Sequence, residues 1–209
     1  ELRSPLQMVR GYAGLLESSE LGPVNESQRE AMRIMDEKAQ SNTRLISDIL
    51  SLEQITRDTL ECELIDVNML CDHATSGAQL VHHERGLTIT LDAQAEYSEI
   101  DGDRVRINQV LDNLIGNAAK FSPEAGHIEI VTRNVSDKNG TPDRLIHVAV
   151  IDHGIGIPSD RLPHIFERFY QGDRTIRHRY GGSGLGLAIV QRIVEAHGGA
   201  QSRSTAGHM

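Results

Sequence analysis

The sequence contains no tryptophan, two cysteines and few aromatic residues of any kind. Aromatic residues make up 3% of the 209 residues, so the core must be built mainly from aliphatic side chains. The two cysteines, Cys62 and Cys71, lack the paired spacing of a metal site. Two are also too few to stabilise a domain by disulfide bonds, and this low count indicates a reducing compartment. No apolar run approaches the ~20 residues that a membrane span needs, and no signal peptide is visible.

Positive charge is also scarce. The chain has 21 lysine and arginine residues against 30 aspartate and glutamate residues, giving a net charge of −9. This excludes nucleic acid or an anionic membrane surface as the main partner. The length allows one large or two small domains. Because the chain starts mid-pattern without methionine, we expect a cytoplasmic fragment whose sensor or membrane anchor lies outside it.

Two helices are predicted at the start of the chain, over residues 1–19 and 26–55. Apolar residues recur at helical spacing in both, at Leu2, Leu6, Val9, Ala13, Leu16, Ile34, Met35, Leu45, Ile49 and Leu52. Pro5 marks a first turn or a kink. One hairpin cannot cover both stripes, so we expect a homodimer held by a four-helix bundle. The alternative is a hairpin that packs on the second domain.

An α/β pattern follows a linker at 56–63, so we predict domains at 1–56 and 64–209. Strands are predicted near 64–67, 87–91, 97–101, 127–135 and 144–152, and helices near 68–84, 103–120 and 185–197. Val105 is predicted to face inward. The connection 153–183 is long enough to be functional, and we predict a lid over about 157–183, anchored by Phe166 and Phe169.

A glycine-rich stretch, Gly181 to Val190, runs into the last helix. Glycine lets backbone N–H groups approach an oxyanion, and the N-terminus of a helix favours negative charge. The stretch therefore predicts a phosphate-binding turn, although a merely flexible loop has a similar composition. No Gly-Lys-Ser/Thr follows, which excludes a Walker A loop, and the context does not fit a dinucleotide fingerprint.

Upstream residues supply the other groups that a nucleotide needs. Asn113 and Asn117 are four apart and share a helix face, where an amide oxygen suits Mg²⁺. Lys120 can reach the same phosphates, and Phe121 can stack on a base. Asp152 ends a strand and can accept a hydrogen bond from adenine, while Gly154 and Gly156 let the backbone pass close. Taken singly, each has an ordinary structural explanation, such as an exposed lysine or an aspartate in a turn.

In combination these motifs resemble the ATP-binding domain of protein histidine kinases. The matching segments are Asn113 to Phe121, Asp152 to Gly156, Phe166 to Phe169 and Gly182 to Gly186, in the order of that family. The resemblance implies a Bergerat-type α/β sandwich that binds ATP and Mg²⁺. It assigns nucleotide binding to Asn113, Asn117, Lys120, Phe121, Asp152, Gly154, Gly156, Gly182, Ser183, Gly184, Leu185, Gly186 and Leu187, with Asn117 on the metal.

The opening residues resemble the phosphoacceptor box of the same family. The family places the acceptor histidine immediately before Glu1, so this chain does not contain it, and the family's final strand is also missing after Gly207. The resemblance implies autophosphorylation with Glu1 as the base, Lys120 on the phosphates, and transfer to an aspartate of a response-regulator receiver domain. Ser4 stands where the family often has Thr or Asn, which implies phosphatase activity.

Two other functions stay open from the sequence. One is an ATP hydrolase of the same superfamily, but Asn113 stands where those enzymes use Glu, and Asn cannot take a proton. Asp112 is the nearest acid, and it lies roughly 140° around the helix from Asn117. The other is a non-catalytic dimer or ATP-binding scaffold, which rests on the missing histidine.

Overall fold

The computed structural model describes residues 3–18, 20, 22–136, 142–172 and 181–202. The chain forms two compact units, residues 1–54 and 55–209. The segment predicted as a linker contains a short 3-10 helix, Arg57–Thr59, in the second unit. None of the helices in these ranges combines the length and apolarity required to cross a membrane.

The first unit is a helical hairpin of α1, Arg3–Glu17, and α2, Glu26–Gln54. Pro5 lies in the first turn of α1, where a missing N–H leaves no intrahelical bond unmade. Asn25 caps α2 reciprocally with Gln28: each backbone N–H donates to the other's side-chain oxygen at 2.9 Å. The Asn25–Gln28 pair therefore sets the start of α2.

Small and flexible side chains fill the contact between the two helices. Ala13, Met32 and Ala39 are buried. Arg10 of α1 donates to Asp36 of α2 at 2.8 Å, and this hydrogen bond holds the pKa of the Asp36 carboxyl below its usual value. Both ion-pair partners stay partly exposed, so the pair orients the helices more than it stabilises them.

An apolar stripe along the hairpin is left uncovered in the single chain. Its exposed fractions run from 36% to 64%, and its members are Met8, Val9, Tyr12, Leu15, Leu16, Ile34, Met35 and Leu50. Four of these belong to the stripes predicted from helical spacing. A hairpin with this much exposed apolar surface needs another surface to cover it.

The second unit is a mixed sheet faced by helices. Its helices are α3, Val67–His82; α4, Arg104–Phe121; and α5, Gly186–Ala196. Its strands are β1, Glu63–Asp66; β2, Thr88–Ala93; β3, Glu99–Gly102; β4, His127–Ser136; and β5, Pro142–Asp152. This confirms the predicted fold class, a helical hairpin followed by an α/β sandwich.

Strand order places the end of β5 next to the start of β4. β2 runs parallel to β4, and β4 runs antiparallel to β5, with Ile128 opposite Asp152. β1 and β3 form a separate antiparallel pair. Helices α3 and α4 pack on the three-stranded sheet, and α5 packs on α4. Asp152 therefore comes out at the edge of the sheet.

The core between α3, α4 and the sheet is aliphatic, as the composition predicts. Its fully buried members include Leu87, Leu111, Ala119, Ile128 and Ile130. The prediction that Val105 faces inward is wrong, because it is 73% exposed. Seven residues make nearly two helical turns, so Val105 lies on the same exposed face of α4 as Asp112.

Both cysteines are free. Cys71 is fully buried on α3, and this burial raises the pKa of its thiol to about 11. Cys62 is exposed just before β1.

One hydrogen-bonded group, which we call the Asp103–His197 latch, joins the start of α4 to the end of α5. The Asp103 side chain caps α4 by accepting from Arg106 N–H at 3.0 Å, and it also accepts from Glu61 N–H at 3.1 Å. Asp103 N–H donates to His197 Nε2 at 3.0 Å, while Nδ1 lies 2.8 Å from Ile193 O. Because Nε2 must accept, the proton is on Nδ1.

Replacing His197 tests the latch. His197→Phe leaves a part-buried N–H at Asp103 without its acceptor, and we expect a loss of about 1–3 kcal/mol in the free energy of unfolding. His197→Gln keeps an oxygen acceptor near the position of Nε2 and should lose less. Urea unfolding measures both. Equal losses for the two variants, or none, would contradict the latch.

Candidate functional site

One face of α4 supplies the two asparagines. Asn113 Nδ2 donates to Gln109 O at 2.9 Å, which fixes the orientation of its amide. A Cβ added at Gly186 would lie 2.8 Å from Asn113 Oδ1, so the first residue of α5 packs directly on Asn113. The half-buried Asn117 amide makes no hydrogen bond among the described residues. Its oxygen is available to a ligand.

Lys120 reaches from α4 to the glycine-rich stretch before α5. Its Nζ donates to Gly181 O at 2.6 Å, and a Cβ added at Gly182 would lie 2.9 Å from Nζ. The ammonium also lies 5.0 Å from the centroid of the Phe121 ring. Burial lowers the pKa of Lys120. The structure therefore brings together the lysine and the predicted phosphate-binding turn.

We call the residues Gly181–Gly186 the glycine turn, and three of their carbonyls accept hydrogen bonds from residues outside the turn. Lys120 binds the carbonyl of Gly181, Gln171 Nε2 donates to Gly182 O at 2.7 Å, and Phe169 N–H donates to Gly184 O at 2.9 Å. Gly184 has φ +71°, and a Cβ there would lie 2.8 Å from Phe169 C. Only glycine fits this approach.

The N-terminus of α5 follows the glycine turn. Among the residues that the structure describes, the N-cap residue Leu185 makes no side-chain cap, and Ser183 Oγ accepts the Leu185 N–H at 3.2 Å. Leu185 is fully buried and anchors the helix start. The first N–H groups of a helix have no intrahelical acceptor, and they favour an anion. Gly186, Leu187 and Ala188 occupy this first turn.

Asp152 lies beside Phe121, the last residue of α4. Its Oδ1 accepts the Gly154 N–H at 2.9 Å. A Cβ at Gly154 would lie 2.5 Å from Phe121 O, so the loop after β5 runs against the end of α4. Gly156 has φ +68° in the same loop. The Asp152 carboxylate is thus held near the backbone of Phe121.

Two predicted catalytic residues lie in the first unit. Glu1 is outside the described residues. Ser4 is exposed in the first turn of α1. Nothing in the geometry of the second unit bears on their predicted roles.

The predicted lid is described in part, since residues 173–180 lie outside the described ranges. The rest contains a 3-10 helix, Leu162–His164, and a His164–Glu167 pair at 2.6 Å. Phe166 is half-buried, whereas Phe169, predicted as a hydrophobic anchor on the second domain or the hairpin, is 57% exposed. Its φ of +62° aims its N–H at Gly184 O and leaves the ring outside.

Sequence reasoning missed two residues that shape the site. Gln171 binds the glycine turn, and Arg85 donates to Ala119 O at 2.7 Å and to Ser122 O at 3.0 Å, which fixes the end of α4. Gln171 carries no charge, so only its position after Phe169 could have drawn attention to it. Arg85 is 34 residues from Ala119, and no local pattern predicts that contact.

Asp112 lies on a different face of α4 from these residues. It lines a groove of about 550 Å³ between α3 and α4, which Asn113, Asn117 and Lys120 do not line. Burial raises the pKa of the Asp112 carboxyl. Asp112, the acid nearest in sequence to Asn113, therefore does not face the glycine turn.

Comparison with known protein families agrees with this geometry. Residues 102–208, just over half of the chain, match the family described as histidine kinase-, DNA gyrase B- and HSP90-like ATPase. The chain belongs to this family. Residues 1–58 match the His Kinase A phospho-acceptor domain. This order of domains makes the chain part of a sensor histidine kinase and confirms the resemblance.

Named histidine kinases align along nearly the whole chain. BarA of Escherichia coli K12 is 34% identical over 202 residues, which are 95% of this chain and 21% of BarA. The crystal structure of full-length ShkA in complex with AMPPNP superposes with a TM-score of 0.75 at 31% identity, over 96% of this chain and 40% of ShkA. The chain thus spans about a fifth of BarA and two fifths of ShkA.

A further relative shares the fold. ThkA, crystallised in complex with the response regulator protein TrrA, superposes with a TM-score of 0.63 at 22% identity. The match covers 95% of this chain and 53% of ThkA. The histidine kinase architecture therefore extends over both units of the chain.

Lys120→Met tests whether this lysine faces phosphate. We expect the affinity for ATP to fall about 10–100-fold at neutral pH, the range for a charge-assisted hydrogen bond. Phosphate favours the charged lysine, and burial lowers its pKa in the free protein. The affinity of the unchanged chain should therefore fall as pH rises. Its advantage over Lys120→Met should begin to shrink before the pH reaches about 10, the ordinary range of a lysine pKa.

Titration with a fluorescent ATP analogue at several pH values measures this advantage. Lys38→Met, the same change at an exposed position of α2, is the matched control and should bind as the unchanged chain does. A difference in ATP affinity between the unchanged chain and Lys120→Met that stays constant up to about pH 10 would contradict the assignment of phosphate to Lys120.

Proposed function

We propose that the chain is the ATP-dependent core of a protein histidine kinase in a two-component system. It phosphorylates a histidine immediately before Glu1 and passes the phosphoryl group to an aspartate of a response regulator. The observation that carries the proposal is the meeting of α4 with the glycine turn, where Lys120 contacts Gly181 and Asn113 contacts Gly186. The AMPPNP complex of ShkA supports ATP as the nucleotide.

Two neighbouring parts of the site divide the nucleotide between them. Beside Phe121, the last residue of α4, Asp152 accepts a hydrogen bond from the exocyclic amine of adenine and Phe121 stacks on the ring, with Gly154 and Gly156 leaving room. At the glycine turn, the triphosphate binds the N–H groups at the start of α5 and the Lys120 ammonium. This second part uses Gly182, Ser183, Gly184, Leu185, Gly186 and Leu187.

The residues on α4 fit a magnesium ion beside the phosphates. Mg²⁺ prefers oxygen ligands and is held in nucleotide sites by one or two protein groups. The Asn117 amide has no partner among the described residues and shares its helix face with Asn113 and Lys120. A bound Mg²⁺ neutralises charge on the triphosphate, and the role of Asn117 is to hold it.

The transfer step needs a nucleophile and a base from the first unit. In this proposal a histidine immediately before Glu1 attacks the γ-phosphorus through an imidazole nitrogen. The bond to the bridging oxygen breaks, ADP leaves with the electron pair, and Glu1 takes the imidazole proton. Ser4, three residues after Glu1, orients water for dephosphorylation of the regulator.

Two observations favour transfer over hydrolysis of ATP. Asn113 packs on Gly186 and cannot accept a proton from water at neutral pH. Asp112 lines the groove between α3 and α4 instead. A scaffold that has lost catalysis is also disfavoured, because each ATP-binding residue type implied by the resemblance is present.

Partners follow from the same assignment. The uncovered stripe of the hairpin supports a homodimer, and the phospho-acceptor match supports a response-regulator receiver domain as the phosphate acceptor. The ThkA–TrrA complex is an example of such a pair. Because the reaction uses ATP, we assign this part of the protein to the cytoplasm.

Labelling with γ-labelled ATP tests the reaction. A chain extended to include the histidine before Glu1 should acquire label with Mg²⁺, and acid should release it, since a phosphorus–nitrogen bond is acid-labile. Asn117→Ala should abolish labelling because it removes the metal ligand. Asn108→Ala is the matched control on the groove face of α4 and should keep it.

Two results would overturn the kinase assignment. One is acid-stable label, which indicates a serine or threonine ester. The other is equal labelling with and without the added histidine. Equal labelling of Asn117→Ala and Asn108→Ala would instead contradict the role given to Asn117.

Ile34→Glu tests the dimer. Ile34 is 44% exposed on the hairpin stripe, and a charge in a dimer core is unfavourable, so the variant should become monomeric. Light scattering over a concentration series measures the mass. Leu80→Glu makes the same change at the most exposed leucine of α3 and should leave the dimer intact. A monomeric unchanged chain contradicts the prediction.

A further inference from the structure

The side-chain amide of Gln171 has one atom with a hydrogen-bond partner and one atom without. Its Nε2 donates to Gly182 O at 2.7 Å. Its Oε1 is buried and has no hydrogen-bond partner among the described residues. The orientation of the amide is unambiguous, because Gly182 O can only accept and so must face the nitrogen. A buried acceptor without a donor is unfavourable and calls for an explanation.

The position of this amide connects it with the nucleotide site. Gln171 and Lys120 hold neighbouring carbonyls of the glycine turn, those of Gly182 and Gly181. A Cβ at Gly182 would lie 2.9 Å from Lys120 Nζ, so the lysine ammonium and the glutamine amide meet at the same residue. The unsatisfied oxygen is therefore placed beside the segment that we assign to the triphosphate.

The chemistry of the nucleotide restricts what Oε1 can bind. The triphosphate offers acceptors alone, and two acceptors repel. The donors that Mg-ATP brings are the adenine amine, the ribose hydroxyls and water bound to the metal. The proposed function already pairs the amine with Asp152. The remaining candidates share one chemistry, an O–H group.

We propose that Gln171 is a positioning residue of the nucleotide site, whose Nε2 fixes the glycine turn and whose Oε1 accepts an O–H group that arrives with Mg-ATP. This inference rests on the proposed function. The two atoms act at different times: Nε2 binds Gly182 O in the free protein, and Oε1 gains its partner when the nucleotide binds. A residue with a structural role alone has no second step.

Gln171→Met tests the proposal, because methionine has similar length and neither amide atom. Binding is measured for ATP with Mg²⁺, for ATP with EDTA, and for the 2′-deoxy and 3′-deoxy forms of ATP with Mg²⁺. A purely structural defect weakens all four probes by the same factor. Under the proposal, one feature of the ligand, either Mg²⁺ or one ribose hydroxyl, contributes less to the affinity of the variant than to that of the unchanged chain. The expected difference is roughly three- to tenfold, which corresponds to one hydrogen bond.

Each supporting outcome identifies the donor. If Mg²⁺ increases the affinity of the variant by a smaller factor than it increases that of the unchanged chain, the donor is metal-bound water. If removing one hydroxyl weakens the unchanged chain and leaves the variant unaffected, the donor is that hydroxyl. Gln94→Met, the same change at an exposed position after β2, is the matched control and should behave as the unchanged chain does.

Other outcomes overturn the proposal. These are binding of all four probes as tightly by Gln171→Met as by the unchanged chain, or a loss that is equal for all four. If urea unfolding shows that Gln171→Met does not fold, Gln171→Asn replaces it, since its amide is one methylene shorter. Failure of the unchanged chain to bind Mg-ATP at all would instead defeat the proposed function.

Discussion

The contact between α4 and the segment that leads into α5 is the constraint on which the second unit depends. Asn113 meets Gly186 at one point and Lys120 meets Gly181 at another, so two helices distant in sequence define one surface. The Asp103–His197 latch ties their far ends together. Because the helices are held at both ends, the polar groups between them are oriented before any ligand arrives, which lowers the entropic cost of binding.

Most of the framework could be predicted from the sequence because it depends on local periodicity. The predicted strands 127–135 and 144–152 and the predicted helices 1–19 and 26–55 agree with β4, β5, α1 and α2 to within a few residues at each end. The glycines and asparagines are predicted as site residues because their order along the chain resembles the motifs of histidine kinases, and the structure brings Asn113 and Lys120 to the glycine turn. Val105 was mispredicted because its spacing fits an apolar face, while the packing of α4 buries the neighbouring face.

The contacts that the sequence did not reveal are those that join distant positions. His197 meets Asp103 across 94 residues, and Gln171 meets Gly182 through an irregular segment with no period to read. Phe169 shows the same limit: its type indicates a buried anchor, but its left-handed backbone uses the N–H and leaves the ring exposed. Irregular backbone is set by tertiary hydrogen bonds, which a hydrophobic pattern does not encode.

The bond from Lys120 to Gly181 O has a consequence for turnover. In the proposed function, the phosphates of ATP bind the same ammonium, and this carbonyl already takes one of its three N–H groups. The carbonyl then competes with the nucleotide for the lysine. After transfer, ADP presents one phosphate fewer, so the carbonyl competes more successfully. In this proposal the contact shortens the residence time of spent nucleotide and favours repeated cycles over tight retention.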